Sequence, residues 1–190
     1  MKTTLHTLLT LAAGSSLAIG MPTEYRLNNS FDLSVSPTTG FDGENANKGK
    51  LVRLEYPDGM GGFEVVLVSV FGDAQGPDVW GFDGVMFAAK DLFVTRSTDN
   101  GATWSQPVNV TNTAGLSSIN ADHDGDPLTP EIAYHGDSDK PNIFNVGQNL
   151  IISWIDHYVP GGAQRTVTYP EYGLVEVPYG ATYSVRSNDG

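Results

Sequence analysis

The chain has 190 residues, of which 39% are hydrophobic, and a formal net charge of −12. This acidity argues against a nucleic-acid partner, because binding to phosphates depends on clustered Lys and Arg side chains. The chain has no cysteine, so disulfides are excluded and stability must come from a packed core and from any bound ions.

Residues 1–20 differ from the rest of the chain and predict a secretory signal peptide. Lys2 precedes an apolar run at residues 8–13, and small residues lead towards residue 20. A membrane-spanning helix needs about 20 consecutive apolar residues, which this run does not reach. We therefore expect an exported protein that is periplasmic, at the cell surface or extracellular, with no transmembrane segment in this chain.

The mature chain begins with an extended lead-in, residues 21–50, which is rich in Asn, Ser, Gly and Thr and contains one short predicted strand at residues 31–35. Apolar and polar residues then partly alternate at residues 51–56, and residues 63–71 are apolar and β-branched. The intervening residues, 57–62, are typical of turns. This pattern predicts a β-hairpin.

A loop is predicted at residues 72–84, which are rich in Gly, Asp and Pro. Residues 92–96 and 108–110 predict two further strands, so that four strands with short connections form one antiparallel sheet. The pattern then restarts with a hairpin at residues 142–155 and a strand at residues 181–186. No segment shows sustained helical spacing of apolar residues, which indicates an all-β fold.

The third predicted strand of each of these two groups ends in a similar sequence. Arg-Ser-Thr-Asp at residues 96–99 corresponds to Arg-Ser-Asn-Asp at residues 186–189, ninety positions later. Sheets that recur along a chain are most often propeller blades or the halves of a sandwich. An internal repeat therefore organises residues 51–190.

Residues 97–104 read Ser-Thr-Asp-Asn-Gly-Ala-Thr-Trp, which matches the S-x-D-x-G-x-T-W pattern called the Asp box or BNR repeat. The chain thus resembles the sialidase-like β-propeller superfamily. The resemblance implies antiparallel four-stranded blades of a β-propeller. An isolated hairpin of this type in another β fold remains an alternative. The matching positions are Ser97, Asp99, Gly101, Thr103 and Trp104.

Each of these residue types has a physical role in a tight turn. The Asp99 carboxylate can accept hydrogen bonds from backbone N–H groups, and the Ser97 hydroxyl can bond across the turn. Gly101 permits a backbone angle that other residues resist, and Trp104 supplies a large apolar face. We therefore expect a structural turn.

The second copy of the pattern includes Ser187 and Asp189 and reaches residue 190. A closed propeller has about four to eight blades, and residues 51–190 account for about two, the second one incomplete. We therefore expect an incomplete propeller, with further blades beyond residue 190.

The resemblance also raises the question of sialidase activity. In that superfamily the substrate carboxylate is held by three arginines, and a Tyr/Glu pair and an Asp carry the chemistry. The expected Arg-Ile-Pro sequence is absent ahead of the first hairpin, where residues 47–52 read Asn-Lys-Gly-Lys-Leu-Val. Arg96 and Arg186 occupy equivalent repeat positions, which indicates a structural role. We assign no catalytic residue.

The leading hypothesis is a secreted or cell-surface module with a binding or scaffold role. The alternative is a glycoside hydrolase of the exo-sialidase type whose catalytic residues lie mostly beyond this chain. Further Asp boxes alone would favour the first hypothesis, and boxes accompanied by two suitably placed arginines and a Tyr/Glu pair would favour the second.

Three carboxylates lie two positions apart in the sequence Asp122-His123-Asp124-Gly125-Asp126. Alternating Asp residues around a Gly suit Ca²⁺, which takes several oxygen ligands from flexible loops. The closing Glu of a calcium-binding EF-hand is absent. Asp122, Asp124 and Asp126 are therefore candidate calcium ligands or members of a solvated acidic turn, and Ca²⁺ is the one cofactor that the sequence suggests.

Aromatic residues concentrate in two predicted inter-strand loops. Rings presented by such loops can stack on the apolar faces of sugars, or they can pack within the loop itself. The first interpretation makes carbohydrate, or another surface protein, the partner. The residues concerned are Trp80, Phe82, Phe87, Tyr158, Tyr169, Tyr172 and Tyr179.

Overall fold

The computed structural model describes most of the region after the lead-in. The predicted signal peptide, the predicted strand at residues 31–35 and Asp189 lie outside the described residues. The described ranges are residues 46–80, 86–160, 166–172 and 175–187.

The described residues form antiparallel strands and one short 3₁₀ turn at Pro170–Tyr172, without an α-helix. The predicted all-β class is therefore confirmed. None of the described segments is a helix with the length and apolar character that crossing a membrane requires. The strands are β1 (Asn47–Pro57), β2 (Phe63–Trp80), β3 (Met86–Ser97), β4 (Val108–Asn109), β5 (Ser117–Ala121), β6 (Ile132–His135), β7 (Asp139–Val146), β8 (Asn149–Asp156), β9 (Thr166–Tyr169), β10 (Val175–Pro178) and β11 (Ala181–Ser187).

The first sheet has the order β1-β2-β3-β4, with each strand antiparallel to the next in sequence. The turn between β1 and β2 is closed by Asp58, whose Oδ1 accepts hydrogen bonds from the N–H groups of Met60 at 2.8 Å and Gly62 at 2.9 Å. This arrangement confirms the predicted hairpin and the two strands that follow it. We call it sheet 1.

Residues 72–84 do not form the predicted loop throughout. Strand β2 extends to Trp80 and β3 begins at Met86, with a register irregularity between Ala74 and Asp78. Gly76 is needed within this strand because a Cβ at that position would lie 2.3 Å from the carbonyl oxygen of Ala114. The glycine that suggested a loop instead permits another segment to approach the strand closely.

The second sheet has the order β11-β8-β7 and is also antiparallel. It contains the second predicted hairpin and the strand predicted at residues 181–186. We call it sheet 2. Two small ladders, β5 with β6 and β9 with β10, lie where the sequence analysis predicted no strand.

Sheets 1 and 2 pack face to face through one hydrophobic cluster. Side chains on a strand alternate between the two faces of its sheet, so every second residue of β2 and β8 enters this cluster. Burial of these aliphatic groups supplies the main stabilisation between the sheets. The buried members are Leu54, Val66, Val68, Val70 and Leu92 from sheet 1, and Leu150 and Ile152 from sheet 2.

The two sheets stack in the same sense. Ser97 pairs with Leu67, which alternates with the cluster residues Val66 and Val68 and therefore faces away from sheet 2. Ser187 pairs with Leu150, which belongs to the cluster and therefore faces sheet 1. Equivalent faces of the two sheets thus point in one direction, which is a head-to-tail arrangement.

Candidate functional site

The turn at residues 97–104 is closed by the carboxylate of Asp99. Its Oδ1 accepts hydrogen bonds from the Ser97 hydroxyl and from the Thr103 N–H, both at 2.8 Å. Its Oδ2 accepts a hydrogen bond from the Thr103 hydroxyl at 2.6 Å. The hydrogen bonds from Thr103 and then from Ser97 stabilise the ionised form and lower the pKa of Asp99 to about 2.

Backbone geometry completes the same turn. Asn100 and Gly101 adopt positive φ angles of 59° and 89°, and the Gly101 N–H donates to the Ser97 hydroxyl oxygen at 2.8 Å. The Ser105 N–H then donates to the Arg96 carbonyl at 2.8 Å as the chain returns along β3. Both oxygens of Asp99 are engaged within the turn, so the arrangement is structural rather than catalytic.

The second copy of the motif is described only at its start. Ser187 is the last residue of β11, as Ser97 is the last residue of β3. The structure therefore gives both serines the same place at a strand end.

The acidic loop uses its carboxylates on its own backbone. The Asp122 Oδ1 accepts from the Gly125 N–H at 2.8 Å, the Asp124 Oδ1 from the Asp126 N–H at 2.9 Å, and the Asp126 Oδ1 from the Leu128 N–H at 3.0 Å. The hydrogen bond from Asp126 is the main cause of a lowered pKa of Asp124. Nowhere in the described part of the chain do three His, Cys, Asp or Glu side chains converge in a way that could hold a metal ion.

A buried carboxylate that the sequence did not reveal lies in β3. Asp91 is 3% exposed. Its Oδ1 accepts hydrogen bonds from the Thr111 hydroxyl at 2.8 Å, the Thr113 N–H at 2.7 Å and the Ala114 N–H at 3.1 Å. Its Oδ2 accepts from the Asn109 side-chain amide at 2.9 Å. These bonds fix the segment that leaves β4 against β3.

The same segment reaches sheet 2 through Asp156, the last residue of β8. The Asp156 Oδ2 accepts hydrogen bonds from the hydroxyls of Thr113 at 2.7 Å and Ser138 at 2.8 Å, and its Oδ1 accepts from the Tyr158 N–H at 2.8 Å. Thr113 therefore donates its N–H to Asp91 in sheet 1 and its hydroxyl to Asp156 in sheet 2. This one residue links the two sheets.

A buried ion pair joins β3 to the residues that lead into β7. The Lys90 ammonium lies 2.7 Å from Asp137 Oδ1, and the two side chains are 11% and 5% exposed. The same oxygen accepts the Lys90 N–H at 2.9 Å, and the Ser138 N–H donates to the Lys90 carbonyl. The sequence contained no signal for this pair, because its members are separated by 47 positions and Asp137 follows an acidic loop.

Between the two sheets lies a groove with a volume of about 430 Å³, a size typical of ligand pockets. Its polar and charged lining residues are Thr95, Arg96, Ser105, Asn109, Arg186 and Ser187. Its apolar walls are formed by Val68, Val94, Val108 and Val110 from sheet 1, and by Leu150, Ile152 and Val185 from sheet 2.

Of the three described arginines, Arg96 and Arg186 line the same groove and Arg53 does not, so the three do not form the cluster that a sialidase needs. Arg53, on β1, pairs with Glu55 on the same strand. Arg186 also donates to the Asn149 side-chain oxygen at 2.6 Å.

Two aromatic side chains proposed for sugar binding are described. Tyr179 is 59% exposed, whereas Tyr158 is half-buried and its carbonyl accepts the Tyr183 hydroxyl at 3.0 Å. Tyr179 is thus the described ring that is available to a ligand. The side chains of Trp80, Phe82, Phe87, Tyr169 and Tyr172 lie outside the described part of the structure.

Comparison of the chain with protein-family models, with curated proteins and with solved structures finds no match.

Proposed function

We propose that the chain is a secreted or cell-surface module built as a sialidase-like β-propeller, with a carbohydrate-binding or scaffold role. The turn at residues 97–104 supports this proposal because its bonds are those expected of an Asp box. The four-stranded meander of sheet 1 is the expected form of a blade.

The same-sense stacking of sheets 1 and 2 is the observation that carries the proposal. Units that stack head to tail can continue to stack, and such a series closes into a ring when each unit is rotated by a constant angle. If two sheets instead met through the same face of each sheet, that face would be used up on both and no further sheet could stack in the same way. The stacking therefore favours successive blades over the two halves of a sandwich.

A binding or scaffold role is favoured over hydrolysis because the buried and turn carboxylates are committed to structure. Asp91, Asp99 and Asp156 each accept several hydrogen bonds from neighbouring N–H and hydroxyl groups. A general acid or base needs an oxygen that can reach a substrate. No described observation favours the hydrolase.

The proposal can be tested with the full chain on an immobilised panel of glycans that includes sialosides, together with a fluorogenic sialoside assay. We expect saturable binding to at least one glycan without turnover, and weaker binding after Tyr179→Ala. The matched control is Phe144→Ala, which removes another exposed ring. Hydrolysis of the sialoside would favour the hydrolase alternative instead, and no glycan binding at millimolar concentration would contradict the carbohydrate-binding role.

A further inference from the structure

The turn at residues 97–104 contains a chemically labile pair of residues. Asn100 is followed by Gly101, and nowhere else in the chain does glycine follow asparagine. Glycine has no side chain to hinder the attack of its backbone nitrogen on the preceding side-chain amide. Asn100 is also exposed, so water can reach the site of reaction. The pair is therefore a candidate for spontaneous deamidation.

This reaction passes through a five-membered succinimide ring. The Gly101 backbone nitrogen gives its proton to water or hydroxide and attacks Cγ of Asn100, and the side-chain amide leaves as ammonia. Water then opens the ring. Addition at Cγ restores the peptide bond and leaves an aspartate, whereas addition at the backbone carbonyl leaves an isoaspartate, whose chain continues through the side-chain carbon. One water molecule is consumed, one ammonia is released, and nothing is oxidised or reduced.

The folded turn opposes this reaction at the attacking nitrogen. The Gly101 N–H donates to the Ser97 hydroxyl oxygen at 2.8 Å. The nitrogen of the succinimide carries no hydrogen, so this bond has to break before the ring closes. Because the bond stabilises the closed turn and is absent from the intermediate, the activation barrier is higher in the folded chain than in an open one.

Backbone geometry adds to the barrier. Asn100 and Gly101 are held at positive φ angles of 59° and 89°, and the Thr103 N–H donates to Asp99 Oδ1 at 2.8 Å beyond them. In the succinimide the Cα–C bond of Asn100 is part of the ring, so the ring, and no longer the turn, sets the ψ angle there. Closing the ring therefore disturbs the hydrogen bonds that close the turn.

An ionised carboxylate lies close to the same nitrogen. The Ser97 hydroxyl donates to Asp99 Oδ1 at 2.8 Å and accepts from the Gly101 N–H, so one side chain bridges the two groups. Loss of the Gly101 proton would create a second negative charge beside the first, which is unfavourable. The turn thus protects Asn100 through a hydrogen bond, through backbone geometry and through charge.

We propose that Asn100 is a deamidation site that the closed turn protects, and that its conversion to isoaspartate keeps the turn from closing again. Isoaspartate adds one methylene to the backbone between Asp99 and Gly101. The Asp99 carboxylate then no longer meets the N–H and hydroxyl of Thr103 at the spacing that it now has. The modification is a one-way switch of this turn, and it is independent of the glycan-binding role.

The test compares the full chain with a capped synthetic peptide of residues 95–106, which has the same sequence without the sheet. Both are incubated in one mildly alkaline buffer, and peptide mass spectrometry measures the aspartate and isoaspartate formed at position 100. Ser97→Ala removes the acceptor of the Gly101 N–H. Thr98→Ala, at the exposed position beside it, is the matched control. Circular dichroism shows that each variant is folded.

We expect Asn100 to deamidate at least about tenfold more slowly in the folded parent than in the peptide, because the reaction waits for the turn to open. Ser97→Ala speeds the reaction several-fold, and Thr98→Ala leaves it at the parent rate. Chains that have formed isoaspartate melt at a lower temperature than fresh chains. Asn100→Asp, which adds the same charge without the extra methylene, melts close to the parent.

Three outcomes would overturn the proposal. Equal rates in the folded parent and the peptide would show that the turn gives no protection, and this comparison needs no variant. A folded Ser97→Ala chain that reacts no faster than the parent would remove the hydrogen bond from the account. Equal melting temperatures of fresh and isoaspartate-containing chains would show that the modification does not open the turn.

Discussion

Ser97 and Ser187 occupy the same position in two different sheets: each ends its strand, and each lies opposite a leucine, Leu67 in one case and Leu150 in the other. Leu67 faces away from the neighbouring sheet and Leu150 faces towards it. The repeat of ninety positions between the two short motifs is therefore accompanied by a repeat of the direction in which the two sheets face.

The first prediction concerns the turn at residues 97–104. Asp99→Ala removes the acceptor for three donors from Ser97 and Thr103, so we expect a melting temperature lower by several degrees. Thr98→Ala, at an exposed position of the same turn, is the control and leaves it nearly unchanged. Equal melting temperatures for Asp99→Ala and the parent, measured by circular dichroism, would rule out a stabilising role for this carboxylate.

The second prediction concerns ion pairs. Asp137→Ala leaves the Lys90 ammonium buried without its carboxylate, and we expect a loss of about 3–5 kcal/mol in the free energy of unfolding. Lys48 and Asp139 form the matched exposed pair, with 45% and 21% of their side chains accessible. Lys48→Gln costs less than about 1 kcal/mol. Urea titration measures both, and similar losses would contradict the assigned difference in burial.

The third prediction concerns the link between the sheets. Thr113→Val keeps the side-chain shape and removes the hydroxyl that donates to Asp156, so a buried carboxylate loses one donor. We expect a loss of about 1–3 kcal/mol. Thr182→Val changes an exposed residue of β11 and serves as the control. If urea titration gives the two variants equal stability, Thr113 does not link the sheets as described.

The fourth prediction concerns pH. Burial lowers the pKa of His157 below its ordinary value of 6.5, while Asp137, Asp156 and Asp139 oppose this shift and Lys90 adds to it. As pH falls through 6.5, the unfolded chain takes up a proton that the folded chain does not accept. The contribution of this group to stability is therefore complete above pH 6.5 and declines below it.

His157→Phe removes that dependence and can retain the edge contact with the ring of Tyr134. We expect the melting temperature of the parent to fall more steeply between pH 7 and 5 than that of the variant. Parallel curves over this interval would show that the imidazole is not responsible.

Local sequence patterns predicted the parts of the fold that depend on neighbours in the chain. The partial alternation at residues 51–56 predicted a strand, and the sequence at residues 142–155 predicted a hairpin. The glycine of the turn at residues 97–104 predicted an unusual backbone angle, and Gly101 adopts a positive φ. The composition of residues 72–84 predicted a loop, and for most of the segment this prediction was wrong. Gly76 lies in a strand, where it permits close packing of another segment.

The buried polar network could not be predicted in the same way. Asp91 and Thr113 are 22 positions apart, and Lys90 and Asp137 are 47 apart. A single sequence contains no sign that these residues meet, because their meeting depends on how the segments between strands that hold Thr113 and Asp137 pack against β3.

The direction in which the two sheets face each other is most directly tested by methyl–methyl nuclear Overhauser spectra of the isotope-labelled chain. Same-sense stacking predicts cross-peaks between the methyl groups of Val68 or Val70 and those of Leu150 or Ile152, and none between Leu67 and sheet 2. Cross-peaks that join Leu67 to Ile152, or an absence of contacts between the sheets, would contradict the head-to-tail arrangement and the propeller inferred from it.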